Sequence, residues 1–322
     1  MTKKIYVLAE KENWITDQLE KEWKDNNKGL YTNNILEADI IWILSDYIAS
    51  RIPLHYYENK VVYTTIHHIV PWKITHEKIK HFEFLNKIST FFVTNQIHCQ
   101  KELSNYVTKP IKVIPLWHNE NVWKCLRDSS NYNLAELMNK YKIPDNHYVI
   151  GSFQRDTEGA GIPQGIYKPK LEKGPDLLVK CLLALRKKKK VNVFVVLTGY
   201  RRQYIISELI KYDIPYVYLE MCDSNILNEL YNCLDLYIIG SRVEGGPRSI
   251  NECGLIKVPL ITTDVGIARL MCHPKSIFDM NNIEESVINA EPNVEHLYDE
   301  SQKYTIKNYM KRFTKDMFGD LD

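Results

Sequence analysis

The sequence predicts an α/β protein of two domains, each a parallel sheet with helices on both faces (two Rossmann-like, doubly wound domains). Three observations carry this reading. Short apolar runs of strand length recur along the chain and alternate with segments whose apolar residues repeat every three to four positions. Several of these runs, among them D-I-I-W-I-L at 39–44 and L-D-L-Y-I-I at 234–239, are nearly continuous in apolar residues, as strands buried on both faces are. The chain has 322 residues, enough for two ordinary domains and too many for one small core.

Composition narrows the class. The chain is 44% apolar and 25% charged, as soluble globular proteins are. Its 42 basic and 40 acidic side chains give a formal charge of +2, which calls for no nucleic acid or other polyanion as partner. No apolar run approaches the ~20 residues that span a bilayer. The start, M-T-K-K-I-Y-V-L-A-E, has neither a signal-peptide apolar region nor a cleavage site, so a cytoplasmic protein is expected. The seven cysteines are scattered, odd in number and without a C-x-x-C pair. Buried free thiols are expected rather than disulfides or a zinc site.

Taken in order, residues 4–9 read as the first strand, and Asn13 is placed to cap a helix in which Ile15, Leu19 and Trp23 repeat. Strands follow at 39–44, 61–66, 90–94 and 112–115. His67 and His68 come directly after the third strand. Ligands of open parallel sheets bind beyond the carboxyl ends of the strands, so one of these histidines is placed to face a ligand. The competing reading is an ordinary hydrogen-bonded loop histidine. Segment 72–88 is basic and aromatic, with Lys73, Lys78, Lys80 and Lys87 among Trp72, Phe82 and Phe84. A solvated helix is the expected use, and a peripheral contact with an anionic membrane is the alternative. The polar run R-D-S-S-N-Y-N at 127–133 marks a junction within 119–146. It divides the chain into domains at 1–130 and 131–295. A tail at 296–322 follows, helical by spacing, which could pack back on the first domain.

The second half begins with a strand at Tyr148 that ends in G-S-F-Q-R-D, placing Arg155 just past its carboxyl end. Gly159, Gly161, Pro163, Gly165 and Pro169 make the loop at 156–172 irregular, and it delivers Lys168, Lys170 and Lys173 beside Arg155. Lys173-Gly174-Pro175-Asp176 opens an amphipathic helix carrying Leu177, Leu178, Cys181, Leu182 and Leu185. The basic run at 186–190 closes it, where each cation is favourable with the helix dipole by ~0.3–1 kcal/mol. A strand at 191–198 ends in Gly199. Further strands at 216–219, 234–239 and 260–263 complete the second sheet, with a helix over 225–232.

One stretch organises this half: S-R-V-E-G-G-P-R-S-I-N-E at 241–252. Glu244 and Glu252 bracket a Gly-Gly-Pro turn between a strand and a helix. Gly245 and Gly246 let the backbone approach a ligand closely, and Pro247 suits the first helical position. Gly246, Pro247, Arg248 and Ser249 lie where this turn enters the helix, and the free N–H groups of the turn and the helix N-terminus then point outward, where an anion is held. A ligand with both phosphates and hydroxyls, such as a nucleotide sugar, suits one carboxylate at each end of such a turn. An ordinary strand-to-helix turn is the bland alternative.

These residues resemble the retaining nucleotide-sugar glycosyltransferases of family 4, which have the two-domain GT-B fold with its domains facing each other across a cleft. The resemblance is specific from about residue 148 to 266, through G-S-F-Q-R, E-K-G-P-D-L-L, L-T-G, the 241–252 motif and V-P-L-I-T-T-D-V-G. It implies that Glu244 contacts the transferred sugar and that Glu252 binds the ribose hydroxyls. It also implies that Arg155 and Lys173 hold the diphosphate with backbone N–H groups at 246–249, and that His67 lies near the reacting sugar. Gly199, at the end of a strand, joins the donor-binding set. The donor implied is a UDP- or GDP-sugar, the acceptor a glycan, lipid-linked or small-molecule hydroxyl, and the stereochemical outcome retention by a front-face route.

The charge chemistry stands beside the resemblance. A sugar nucleotide leaves as a diphosphate, which needs positive charge. The only D-x-D, Asp320-Leu321-Asp322, lies at the extreme end of the chain, so no metal and no cofactor is expected. Arg155, Lys173 and a helix N-terminus supply the charge instead. Two alternatives remain open at this point: a nucleotide-sugar isomerase on the same fold, with Glu10, Asp46 and His67 as acid and base groups, and a non-catalytic protein that binds sugar nucleotides.

Overall fold

The computed structural model describes residues 2–11, 15–130, 132–159 and 165–321. Asn13, Gly161, Pro163 and Asp322, to which expectations attach above, lie outside them. The chain divides into two compact units, one of Met1–Trp117 with Lys307–Asp322, the other of His118–Ile306. The first runs β1 (Ile5–Leu8), α1 (Ile15–Asn26), β2 (Ile40–Ile43), β3 (Val61–Thr65), α2 (His76–Ile88), β4 (Phe91–Thr94), α3 (Ile97–Leu103) and β5 (Ile111–Val113). The second begins with α4 (Leu134–Lys140), β6 (Tyr148–Phe153), α5 (Pro175–Lys188), β7 (Val193–Thr198), α6 (Gln203–Lys211) and β8 (Tyr216–Leu219). It continues with α7 (Ser224–Asn232), β9 (Leu236–Ile239), α8 (Arg248–Ile256), β10 (Leu260–Thr262), α9 (Ala268–Met271), α10 (Ile283–Asn289) and α11 (Val294–Gln302). Helix α12 (Ile306–Phe318) closes the chain and belongs, from Lys307 on, to the first unit.

The first sheet is parallel throughout, in the order β1-β2-β3-β4-β5. Tyr31 adds a single parallel bridge on the free side of β1. The chain therefore steps outward from β1 to Tyr31 before crossing back to β2, which is the reversal that winds a sheet on both faces. Alternation along the strands shows the two faces. Ile41, Ile43, Val62 and Phe92 pack with Phe82 and Leu85 of α2 and with Cys99 and Leu103 of α3. Trp42 and Tyr63 point the other way. Trp42 meets Trp23 of α1 with ring centroids 5.7 Å apart, and Phe318 of α12 touches Trp42 at 5.7 Å and Tyr63 at 5.3 Å. Edge-on pairs of this kind add ~0.5–1.5 kcal/mol each beyond the area they bury.

Helix α12 is held by specific polar contacts as well. Trp23 Nε1–H donates to Thr314 Oγ1 at 3.1 Å, and that hydroxyl donates to Asn27 at 3.0 Å. The Lys112 ammonium donates to the Met317 carbonyl at 2.9 Å and lies over the Tyr63 and Phe91 rings at 5.1 and 5.0 Å. It thereby satisfies a last-turn carbonyl and meets the negative end of the helix dipole.

Two expected boundaries differ from what is found. The chain passes into the second unit at His118, not at residue 131. The polar stretch read as a junction is bound to α7: the Asn228 side chain accepts from Lys124 N–H, the Asn232 side chain accepts from Leu126 N–H, and the Tyr132 hydroxyl donates to the Asn232 carbonyl, all at 2.9–3.0 Å. The tail read as one helical segment from 296 is two helices. Leu297 of α11 shares a core with α8 in the second unit, whereas α12 lies in the first.

The second sheet is also parallel, in the order β10-β9-β6-β7-β8. Its alternation is regular. Phe194, Val196, Tyr237 and Ile239 face α4, α7, α8 and α11, while Val195, Leu197, Leu236 and Ile238 face α5, α6 and α10. The fold is therefore α/β with two parallel-sheet domains, as the sequence predicts. All seven cysteines are free. Among the described residues no helix is long and apolar enough to cross a membrane.

Phe313 tests the role of the returning helix. It is 1% exposed and packs on Trp42 and Trp117 with centroids 5.9 and 4.7 Å away. Phe313→Ala should destabilise the first unit by ~3–5 kcal/mol, the usual cost of emptying such a site. Hydrogen exchange should show amides of β2 and β3 losing protection while those of β6 and β7 keep theirs. Unchanged protection in β2 and β3 would mean that α12 is not part of that core.

Candidate functional site

Strand order points to a candidate site in the second unit. β6 is the first strand of its sheet, and the chain moves outward from it through β7 and β8, then returns to its other side with β9. The carboxyl ends of β6 and β9 therefore meet at the point where winding direction reverses, where open sheets hold ligands. Those ends carry Gln154 and Arg155 on one side and Gly240, Ser241 and the 241–252 motif on the other.

The two segments are brought together by an approach only glycine allows. Gly174 has φ +57°, and a Cβ placed on it would stand 1.7 Å from the Gly240 carbonyl oxygen. With the backbones this close, Arg242 and Val243 N–H donate to the Glu172 carbonyl at 2.8 and 3.1 Å. The Arg242 guanidinium makes a forked bond to both oxygens of Asp176, at 2.7 and 2.6 Å. That bond raises Arg242 and holds Asp176 below the usual carboxylate range, against the opposing effect of burial. The Lys173 carbonyl accepts from the Gln154 amide at 2.9 Å. Its ammonium reaches the Glu244 carboxylate at 2.6 Å, and Ser241 Oγ donates to the other oxygen of Glu244 at 3.0 Å.

The loop after β6 gathers further cations. Thr157 and Pro169 form an antiparallel bridge, and Lys170 N–H donates to the Asp156 carbonyl at 2.7 Å, so the loop folds back on its own start. Burial lowers the Lys170 ammonium, and Lys173 and Arg155 push it down further, offset in part by Glu172 and Glu158. Arg155 thus shares a neighbourhood with two lysines, and its Nε is buried without a hydrogen-bond partner. Beneath it, Arg202 is fully buried. Its Nε pairs with Asp156, Nη1 donates to the Ser152 and Thr198 carbonyls, and Nη2 to Ser152 Oγ. One guanidinium thereby ties the ends of β6 and β7 to the turn that carries Arg155. Gly199, at φ +96°, sits at the same edge and packs on Gln154.

Helix α8 starts at Arg248 without a side-chain cap. The turn before it is seated by another close approach: a Cβ on Gly266 would stand 2.7 Å from Pro247 Cδ and 3.1 Å from the Gly246 Cα. Four residues into α8, Glu252 accepts a hydrogen bond from the Tyr231 hydroxyl at 2.8 Å and lies 3.8 Å from Arg248 Nε. Burial raises the Glu252 carboxyl, and Arg248 and Tyr231 oppose that rise. Arg248 Nη1 and Nη2 are buried without partners. Ser249 bonds the Tyr237 hydroxyl, which also accepts from Phe153 N–H at 2.8 Å and so joins α8 to the end of β6.

His67 belongs to the first unit, directly after β3. Its Nε2 donates to the Leu44 carbonyl at 2.9 Å, and burial lowers it, opposed by that bond and by Asp46. Burial thus favours the neutral ring, in which Nε2 donates and Nδ1 is the acceptor. Asp46 follows β2 and pairs with Lys78 at 2.8 Å and His81 at 3.2 Å. Burial alone would raise it; the two partners outweigh burial and hold it at about 2.

Lys173 and Glu244 are thus in contact, Arg155 lies in the same cationic cluster, and Arg248 and Glu252 sit one turn apart on α8. Gly245, Gly246, Pro247 and Ser249 form the turn between. Sequence reasoning did not single out Tyr231, Gln154 or Ser241, nor assign Arg202 a place. A tyrosine in an amphipathic helix reads as core, and nothing local marks an arginine as fully buried.

No family model matches the chain, and no curated protein matches it by sequence. Solved structures do. Anabaena HepE in complex with UDP and glucose is similar over 98% of this chain and 99% of its own, with TM-score 0.74 and 12% identity. Sucrose-phosphate synthase from Thermosynechococcus elongatus covers 95% of this chain and 79% of its own, with TM-score 0.65 and 13% identity. A UDP-forming α,α-trehalose-phosphate synthase from Burkholderia xenovorans covers 94% and 77%, with TM-score 0.63 and 12% identity. The fold of this chain is the GT-B fold of such glycosyltransferases.

The Asp46 cluster gives a pH test of the first unit. A carboxylate held near 2 in the folded protein stabilises it fully above its unfolded value of ~3.9, and that contribution is lost as pH falls through about 2. Asp46→Asn should therefore cost ~2 kcal/mol at pH 7, with the difference from the parent shrinking towards zero between pH 4 and pH 2. Urea titrations of both proteins across that range measure it. A difference that stays constant with pH would mean the ion pairs are not its source.

Proposed function

We propose that the chain is a glycosyltransferase that moves a sugar from a nucleoside-diphosphate sugar to an acceptor hydroxyl with retention, without a metal ion. The observation that carries this reading is the Lys173–Glu244 pair at the switch point, set between the Arg155 and Lys170 cations and the uncapped start of α8. Such a set suits a ligand whose two phosphates meet cations and helix N–H groups and whose hydroxyls meet carboxylates. HepE has been crystallised with UDP-glucose, which supports a donor of that class for this chain.

In this reading Arg155, Lys173 and the N–H groups of the turn at 246–249 hold the diphosphate and stabilise the charge that develops as it leaves. Glu244, fixed by Lys173 and Ser241, accepts from the transferred sugar, and Glu252 accepts from the ribose hydroxyls. The leaving phosphate takes the acceptor proton. His67, neutral and with an acceptor nitrogen on Nδ1, contributes to turnover.

Loss of one cation aimed at developing phosphate charge should cost ~3–4 kcal/mol of barrier, a few-hundred-fold in rate. Arg155→Ala and Lys173→Ala should each lower transfer from a UDP- or GDP-sugar by about that factor, with the parent active at full rate in EDTA. Loss of transfer in EDTA that magnesium or manganese restores would sink the charge assignment. A new sugar nucleotide formed without any acceptor would replace the transferase reading with an isomerase.

His67 has a separate test. His67→Ala should lower kcat far more than it weakens donor binding by calorimetry, whereas His68→Ala should change neither much. Equal small effects from both would make His67 a structural loop residue.

A further inference from the structure

We propose that Tyr231 is a positioning residue, whose hydroxyl fixes the Glu252 carboxylate in the orientation in which it meets the donor ribose. The inference rests on the donor-site reading above. Tyr231 is 1% exposed, and its ring is gripped from three directions: by Trp123 at 6.0 Å, by Phe153 at the end of β6 at 4.7 Å, and by Tyr237 of β9 at 5.4 Å. A phenylalanine would make the same three ring contacts. The hydroxyl therefore adds nothing to packing, and burying it without a partner would be unfavourable. Its partner is Glu252 Oε2, at 2.8 Å.

The bond does two things. It ties one carboxylate oxygen to a side chain packed on three rings, on a helix anchored through Asn228 and Asn232 to the segment at 124–126. It also opposes the burial that raises the Glu252 carboxyl. The groups that face Glu252 are Tyr231 of α7, Tyr237 of β9, and Arg248 and Cys253 of its own helix. Burial pushes both tyrosines and the thiol upward, so they stay neutral, and Arg248 is the one charge among them. Within this set Glu252 is the acid whose protonated form burial favours, against Arg248 and Tyr231. Only its ionised form accepts hydrogen bonds with both oxygens.

The test is a two-by-two comparison of the parent, Tyr231→Phe, Glu252→Gln and the double variant. Binding of UDP-glucose and GDP-mannose, whose diphosphates stay ionised throughout, is measured by calorimetry across mildly acid to neutral pH. In the parent, affinity should fall on acidification as Glu252 takes up a proton. Tyr231→Phe should weaken binding about tenfold at pH 7, the scale of one lost hydrogen bond to a charged group, and move the acid limb to higher pH. Glu252→Gln should flatten the limb, and in that background Tyr231→Phe should change affinity by less than about twofold. An equal loss in both backgrounds, or an acid limb that Tyr231→Phe leaves in place, would show that the ring alone matters. If the parent binds neither nucleotide sugar, the donor-site reading itself fails, and the positioning role falls with it.

Discussion

The approach of Gly174 to the Gly240 carbonyl is the constraint on which the candidate site depends. Any side chain at 174 would need the space that this oxygen occupies, so the start of α5 and the end of β9 meet backbone to backbone. Several of the site's polar contacts follow from that approach. Lys173 stands next to the approach and so reaches Glu244, and the Glu172 carbonyl is aligned to receive two N–H groups of the 241–252 motif. The Arg242–Asp176 fork then closes the outside. Strand order brings the right ends together, but it does so only to within the width of a loop. The missing Cβ removes the rest of the distance.

Charge is handled differently on the two sides of that contact. On the β6 side a buried guanidinium, Arg202, pairs with Asp156 as counter-charge and donates to three main-chain or hydroxyl oxygens. A pair buried this thoroughly gains little net stability, because desolvation offsets most of the attraction. What it contributes is a fixed place for the turn that bears Arg155. Around α8 and on the β6 turn polar groups are left short of partners: Arg155 Nε, both Nη atoms of Arg248, and the side chains of His118 and Asn251 each keep a buried atom without one. Such atoms are unfavourable in isolation and cluster where structure serves something other than stability. Their grouping around α8 and the β6 turn is independent of the sequence motif and falls on the same elements.

Much of this was legible in the sequence, for physical reasons that can be named. The strands are read from continuous apolar runs because both faces of each sheet are covered, and D-I-I-W-I-L yields β2 directly. The strand-to-helix turn at 241–252 is read from Gly-Gly-Pro between two glutamates, since backbone requirements are written locally. What depends on distant partners was not legible. Segment 119–146 looks like a linker because it is polar, but its polar groups are bound by Asn228 and Asn232, about a hundred residues away. Tyr31 contributes one bridge to the first sheet, too short to leave a strand pattern. Tyr231 looks like core, and it is core; only the direction of its hydroxyl makes it more than that.

The returning helix shows how connectivity constrains such a chain. One face of the first sheet is covered by α2 and α3, which are its own crossovers. On the other, α1 brings Trp23 onto Trp42, and α12 adds the rest of the aromatic cover over Trp42 and Tyr63. Phe313 and Phe318 supply it from beyond the whole second unit. The second unit is continuous in sequence, and its two ends are zipped together, with His118 N–H donating to the Tyr304 carbonyl and Ile306 N–H to the His118 carbonyl at 2.8 and 2.9 Å. A core made of residues more than two hundred apart has a large loop to close, and that cost grows only slowly with length. It falls further once the intervening unit has folded and brought its own ends side by side. The helix that seals Trp42 therefore follows directly on the pairing that closes the two ends of the second unit.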